Sequence, residues 1–153
     1  MGLRNACWFK EPKSKLPSLS VTDFLRLVVT GAFRAAEVMR MTQPDGRVGH
    51  AEIKIGDSPI LLADEFPEMG ARSPQSLGGS PVSILLYVQD VDALTSSAIA
   101  AGAKVIRPVK DQFYGDRSGS LEDPFGHQWH IATHVEDVAP EEMKKRAAAA
   151  GRG

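Results

Sequence analysis

Cysteine is nearly absent. Cys7 stands alone among 153 residues, which excludes an internal disulfide framework and suits a reducing compartment. A basic excess is absent too. The chain has 18 Lys and Arg against 19 Asp and Glu, for a formal net charge of −1, and the two signs are interspersed. A nucleic-acid surface is not expected, because such domains concentrate basic residues on one face. No run approaches the roughly 18 apolar residues of a membrane span. Charges at Arg4, Lys10, Glu11 and Lys13 interrupt the N-terminus, so no secretory signal is read there. The expected partners therefore include neither nucleic acid nor membrane, and the expected location is the cytoplasm.

Apolar residues are not scarce. They make up 42% of the chain, enough for a buried core without staples. The length fits one compact domain or two small subdomains sharing a core. The first 36 residues hold Pro12, Pro17 and several serines and show no sustained alternation. Val21, Phe24, Leu25, Val28 and Val29 carry helical spacing over residues 21–33, with Ser20 or Thr22 as the cap. Strand-like runs at 37–41 and 48–55 flank Gln43-Pro44-Asp45-Gly46, a turn in which Pro fixes φ and Gly is free to take φ > 0. Gly56-Asp57-Ser58 is a second tight turn, followed by a strand at 59–64. Residues 66–80, rich in Pro, Gly and Ser, read as a linker. A second unit follows: a strand at 82–88, a helix at 91–101 capped by Asp90 and ended by Gly102, and strands at 104–109, 117–123 and 128–134. The last two flank Asp123-Pro124-Phe125-Gly126. Pro140 opens a final helix whose Glu141 and Glu142 precede Lys144, Lys145 and Arg146, an order that suits the helix dipole.

The economical reading is α+β: tandem βαβββ units whose curved mixed sheets surround a cavity. The expected organisation is a first unit over 1–66 with an atypical first 36 residues, a linker at 67–80, a second unit over 81–136, and a C-terminal helix and tail over 137–153.

Several motifs then align with a known pattern. Tyr114-Gly115-Asp116-Arg117-Ser118-Gly119, Asp123-Pro124-Phe125-Gly126-His127, Trp129 and Thr133-His134 stand in the second unit. Asp90-Val91-Asp92-Ala93 and Ala101-Gly102-Ala103 frame its helix. Gly46-Arg47, His50-Ala51-Glu52-Ile53 and Gly56-Asp57-Ser58 stand in the first. Together they resemble the PhnB-like branch of the vicinal oxygen chelate superfamily, with its glyoxalase, bleomycin-resistance and extradiol-dioxygenase relatives. The resemblance spans about residues 37 to 146, and one fold of this kind hosts many functions. It implies metal-ligand positions on strands one and four of each unit. These fall on Ser83 and His130 in the second unit and on Leu61 in the first. Of these matched positions His130 alone bears a ligand-type residue, so no complete metal site is expected. Before residue 37 the pattern is retained only in Ala32-Phe33.

Strand parity supplies the remaining candidates. Gln128, His130 and Ala132 face one way and Trp129, Ile131 and Thr133 the other, so His130 is expected in the cavity as a ligand contact, an acid or base, or a metal ligand. The bland alternative is a polar pocket liner or a hydrogen-bonded structural histidine. His50 and Glu52 share a strand face that either reaches the cavity or is merely solvated. Arg117 offers a planar fork for a carboxylate or phosphate, the alternative being that it pairs with Asp116 as structural glue. Tyr87, on the face of Ser83 and Leu85, is a cavity wall with a polar tip, and Tyr114 lies in the loop entering a strand. The expected pocket is His130, His50, Glu52, Tyr87, Ser83, Tyr114 and Arg117. The expected function is small-molecule binding without a cofactor, catalytic residues being unassigned. The alternative is a lyase, isomerase or dioxygenase using a divalent metal. Open sheet edges and the resemblance both point to a homodimer.

Overall fold

A computed structural model describes Phe33 and residues 35–151. The helix expected over 21–33 falls, apart from Phe33, outside them. Strand β1 (Ala36–Thr42) pairs antiparallel with β2 (Val48–Ile55), and β3 (Ser58–Leu62) takes the other side of β2. The Pro-Asp-Gly turn closes as its chemistry dictates: Gly46 N–H donates to the Gln43 carbonyl at 2.9 Å, with Gly46 at φ +89°. Pairing passes from Met41↔His50 to Thr42↔Val48, so Gly49 is an extra residue on β2. That bulge brings Val48 onto the same buried face as Ala51, Ile53 and Ile55.

The segment at 66–80, expected to be a linker, is folded. It contains a 3-10 turn (Pro67–Met69) and a one-turn helix, α1 (Pro74–Leu77). The Glu65 carboxylate accepts from Ser73 N–H at 2.9 Å and Ser76 Oγ at 2.6 Å. The Arg47 guanidinium lies 4.2 Å from the centre of the Phe66 ring and pairs with Glu68 at 3.1 Å. Polar contacts from Glu65 and from Arg47 thus order a stretch whose composition reads as loop.

The second sheet runs in the order β4 (Ser83–Tyr87), β7 (Gln128–His134), β6 (Asp116–Glu122), β5 (Lys104–Asp111). Strands β4 and β7 are parallel and the other pairs antiparallel, giving a mixed sheet. Helix α2 (Val91–Ala100) joins β4 to β5 and is capped by the Asp90 carboxylate, which accepts from Ala93 N–H at 2.9 Å. The order is therefore β-α-β-β-β. At the β6–β7 turn the buried Asp123 carboxylate accepts from Phe125 N–H, His127 N–H and Trp129 Nε1–H, each at 2.9 Å, and meets His127 Nδ1 at 3.1 Å. Helix α3 (Pro140–Ala149) buries no residue.

One core joins the two sheets. Val48, Ala51, Ile53 and Ile55 cluster with Leu86, Leu121, Trp129 and Ile131, and with Val91 and Ala98 of α2. Phe33 packs on Trp129 with ring centres 4.6 Å apart. Each large side chain so buried contributes about 1.5–3 kcal/mol. This apolar packing lies on the α2 side of the second sheet, which frees the opposite, open face of that sheet to carry polar groups.

Candidate ligand-binding site

The register of the second sheet fixes which side chains share its open face. Leu85 of β4, His130 of β7, Ser120 of β6 and Arg107 of β5 form one row across all four strands. Ser83 and Gln128 form the neighbouring row with Glu122. These residues other than Glu122, together with Ile106, line a cavity of about 360 Å³. His130 Nδ1 lies 2.9 Å from Ser120 Oγ. Its Nε2 has no hydrogen-bond partner among the described residues. Sequence parity within β7 could place His130, but the pairing that adds Ser120, Arg107 and Leu85 could not be read without the register.

The other end of the open face is a bonded network. Tyr87 Oη donates to Asp116 Oδ2 at 2.6 Å, and Tyr114 Oη lies 3.3 Å from Ser118 Oγ. His134 sits between two carboxylates, with Nδ1 2.9 Å from Asp116 Oδ1 and Nε2 3.1 Å from Asp137 Oδ1. The bond to Asp116, seconded by that to Asp137, raises the imidazole above its ordinary value. Burial pushes the Asp116 carboxyl up, but the bonds from Tyr87 and His134 outweigh it and hold the group below its usual range. Donation to Asp116 raises the Tyr87 phenol. Asp116 thus pairs with Tyr87 and His134 and not with Arg117.

Two groups of expected site residues lie elsewhere. Arg117 points to the α2 side of the sheet. Its Nε and Nη2 donate to the two Asp92 oxygens at 2.7 and 2.9 Å, and its Nη1 donates to Asp111 at 3.0 Å. The reason is parity: Asp116, Ser118 and Ser120 take the open face, so Arg117 takes the other. His50 and Glu52 share the outer face of β2, paired with Met41 and Met39 of β1, and Glu52 also with Leu61 of β3. Neither lines the cavity at His130. The matched metal positions do not fit a divalent ion. Leu61 offers only carbon and is 65% exposed, and Ser83 offers a weakly ligating hydroxyl. His130, with Nδ1 on Ser120 and Nε2 free among the described residues, is left as the one ligand-type donor among them. Among the described residues no three His, Cys, Asp or Glu gather in a metal-holding group.

A larger opening of about 960 Å³ lies between the folded segment at 63–76 and the core-facing Ile60, Ile84 and Phe125. Its Arg47 is engaged by Asp45 and Glu68, and its Glu65 by Ser73 and Ser76, while its Arg72 has no carboxylate in salt-bridge reach among the described residues. The smaller cavity is the one that holds a row of convergent polar side chains, so the chemistry is placed there.

Fold and site together define an α+β protein whose sheet face, rather than a loop cluster, forms a small pocket. The Glyoxalase/Bleomycin resistance protein/Dioxygenase superfamily profile matches residues 22–131. The chain belongs to that superfamily. An uncharacterized protein of Mycobacterium bovis is 42% identical over 125 residues, 80% of this chain and 82% of that one. Among solved structures, an Arabidopsis thaliana gene product is similar at 27% identity and a TM-score of 0.57, over 81% of this chain and 98% of that one. TioX from Micromonospora sp. ML1 shares the fold at 23% identity and a TM-score of 0.59, over 76% and 92%.

Proposed function

We propose that this protein binds a small organic molecule on the open face of its second sheet, with His130 at the centre of the pocket and no metal ion bridging protein and ligand. The observation that carries this reading is the row Leu85, His130, Ser120 and Arg107, in which apolar and polar groups converge on one cavity. Ser83 and Gln128 add polar walls. Tyr87 and Tyr114 flank the pocket along β4 and the β5–β6 turn, stiffened by Asp116 and Ser118. Superfamily membership supports small-molecule binding as the class. The test is a fragment screen read by backbone and ring chemical shifts. Hits are expected to move His130, Ser120 and Gln128. His130→Ala should weaken those hits about tenfold or more, the value of a hydrogen bond of ordinary to high strength, while the urea midpoint changes little. Severe destabilisation with unchanged hits would make His130 a structural histidine instead.

The proposal extends to a homodimer in the cytoplasm. Met39, Met41 and Leu61, exposed at 40%, 59% and 65%, stand beside His50 and Glu52 on an outer face of the first sheet that a second copy would cover. Light scattering should give twice the chain mass at micromolar concentration. A monomer mass up to the millimolar range would refute the dimer. Among the described residues no helix is long and apolar enough to cross a membrane.

A further inference from the structure

We infer that the ligand of this pocket is a carboxylic acid, with its carboxylate anchored by Arg107 and its apolar body against Leu85 and Ile106. The inference rests on the binding reading above and adds the chemical class. Four described arginines are held by carboxylates: Arg40 by Glu37, Arg47 by Asp45 and Glu68, Arg117 by Asp92 and Asp111, and Arg146 by Glu136 and Glu142. Arg72 and Arg107 have no carboxylate in salt-bridge reach among the described residues; Arg72 lies at the larger opening, where it acts on Glu65 through space, and Arg107 lines the cavity at His130. Glu122, which shares the open face of β6, is turned to Lys104 at 3.8 Å. Asp116 is taken by Tyr87 and His134. The guanidinium is therefore left unneutralised at the pocket wall.

Its position is built by the backbone. Pairing of β5 with β6 is irregular on both sides of Arg107, between Val105 and Arg107 and between Arg107 and Lys110. Bulges re-aim side chains, and here the result is Arg107 opposite Ser120. The close approach requires glycine at 119. A Cβ there would stand 2.9 Å from the Arg107 carbonyl oxygen and 2.9 Å from Val109 Cγ2. A planar fork suits the two oxygens of a carboxylate. His130 and Gln128 line the same space, and a cavity of about 360 Å³ is the size of a small organic acid.

The test uses benzoate, its neutral isostere benzamide, and phenyl phosphate, titrated into the uniformly labelled full chain. Benzoate is expected to shift the Arg107 Nε–H and His130 ring signals saturably, at least about tenfold tighter than benzamide, as a charge-assisted bond implies. Arg107→Gln should remove that preference, bringing benzoate to the level of benzamide in the same variant. Arg107→Lys, which keeps the charge without the fork, should retain part of it. Arg72→Gln should change nothing. Equal binding of benzoate and benzamide at these signals would overturn the carboxylate inference while leaving the binding reading standing. Phenyl phosphate binding without benzoate would overturn it in favour of phosphate esters. Shifts centred on Arg72, or none from any probe, would remove both the inference and the reading it rests on.

Discussion

Asp123→Ala is expected to lower the free energy of unfolding by about 4 kcal/mol, a value at the severe end for a single substitution. The carboxylate is only 4% exposed, and it accepts from two backbone amides and the Trp129 indole while meeting the His127 ring. Hydrogen bonds to a charged acceptor are worth about 1.5–3 kcal/mol each, and a buried donor left alone costs about 1–3 kcal/mol more. Trp129 is itself 1% exposed, so water cannot replace the lost acceptor. Asp123→Asn keeps one oxygen for the backbone amides but turns an NH₂ toward donors, and should cost about half as much. Urea unfolding of the three proteins measures both values. Two variants within 1 kcal/mol of the parent would show that the turn closes without the carboxylate.

The same turn explains why the fold could be read so well. Asp123-Pro124-Phe125-Gly126 marks a reversal by its own chemistry, as does Pro44-Asp45-Gly46. Between such marks the strand at 48–55 and the strand at 128–134 begin and end where β2 and β7 do. Asp90 and Gly102 likewise bound α2 to within one residue of its expected end. These are local signals, carried by residues adjacent in sequence. The segment at 66–80 escaped because its order comes from Glu65 reaching Ser73 and Ser76, and from Arg47 reaching Phe66 and Glu68. Composition does not register contacts of that kind.

The site was legible only along single strands. Parity in β7 separates His130 from Trp129, and parity in β4 groups Ser83, Leu85 and Tyr87. Nothing local tells which residue of β5 or β6 lies beside His130. That depends on register, and register here depends on bulges at Arg107 and on a glycine two residues beyond Arg117. A strand read from 117 with a loop before it therefore favours Arg117, the arginine in a conspicuous motif. The strand in fact begins at Asp116, and its alternation sends Arg117 to Asp92 and Asp111. His50 and Glu52 illustrate a further limit. A shared strand face is a sequence property, whereas the cavity that a face borders is a property of how two sheets meet.

Gly115→Ala is the second substitution expected to act strongly, by about 3 kcal/mol, and it should reach the His134 network. Gly115 has φ +97°, and a Cβ there would fall 2.1 Å from the Glu136 carbonyl oxygen and 3.0 Å from Val138 Cγ2. The Gly115 carbonyl also accepts from Val135 N–H at 2.9 Å and Glu136 N–H at 3.0 Å, so residues 135–138 must move away as a group. Gly46 is the control. It has φ +89° with nothing within 4 Å of a built Cβ, and Gly46→Ala should cost only the backbone strain of about 1–2 kcal/mol. Displacing 135–138 takes Asp137 from His134 Nε2. The His134 midpoint, above its ordinary value in the parent, should then fall by the Asp137 contribution in a ring-proton titration, while the larger one from Asp116 keeps it raised. A histidine whose folded value is raised contributes stability that is full below its unfolded value and is lost as pH rises through the folded one. The gap between parent and Gly115→Ala should therefore be wider at pH 5.5 than at pH 9, the remainder at high pH being steric. Asp116, held low, adds stability above its ordinary range and loses it only in stronger acid, so it does not blur this comparison. An unchanged His134 midpoint in a destabilised Gly115→Ala protein would separate the turn from the network.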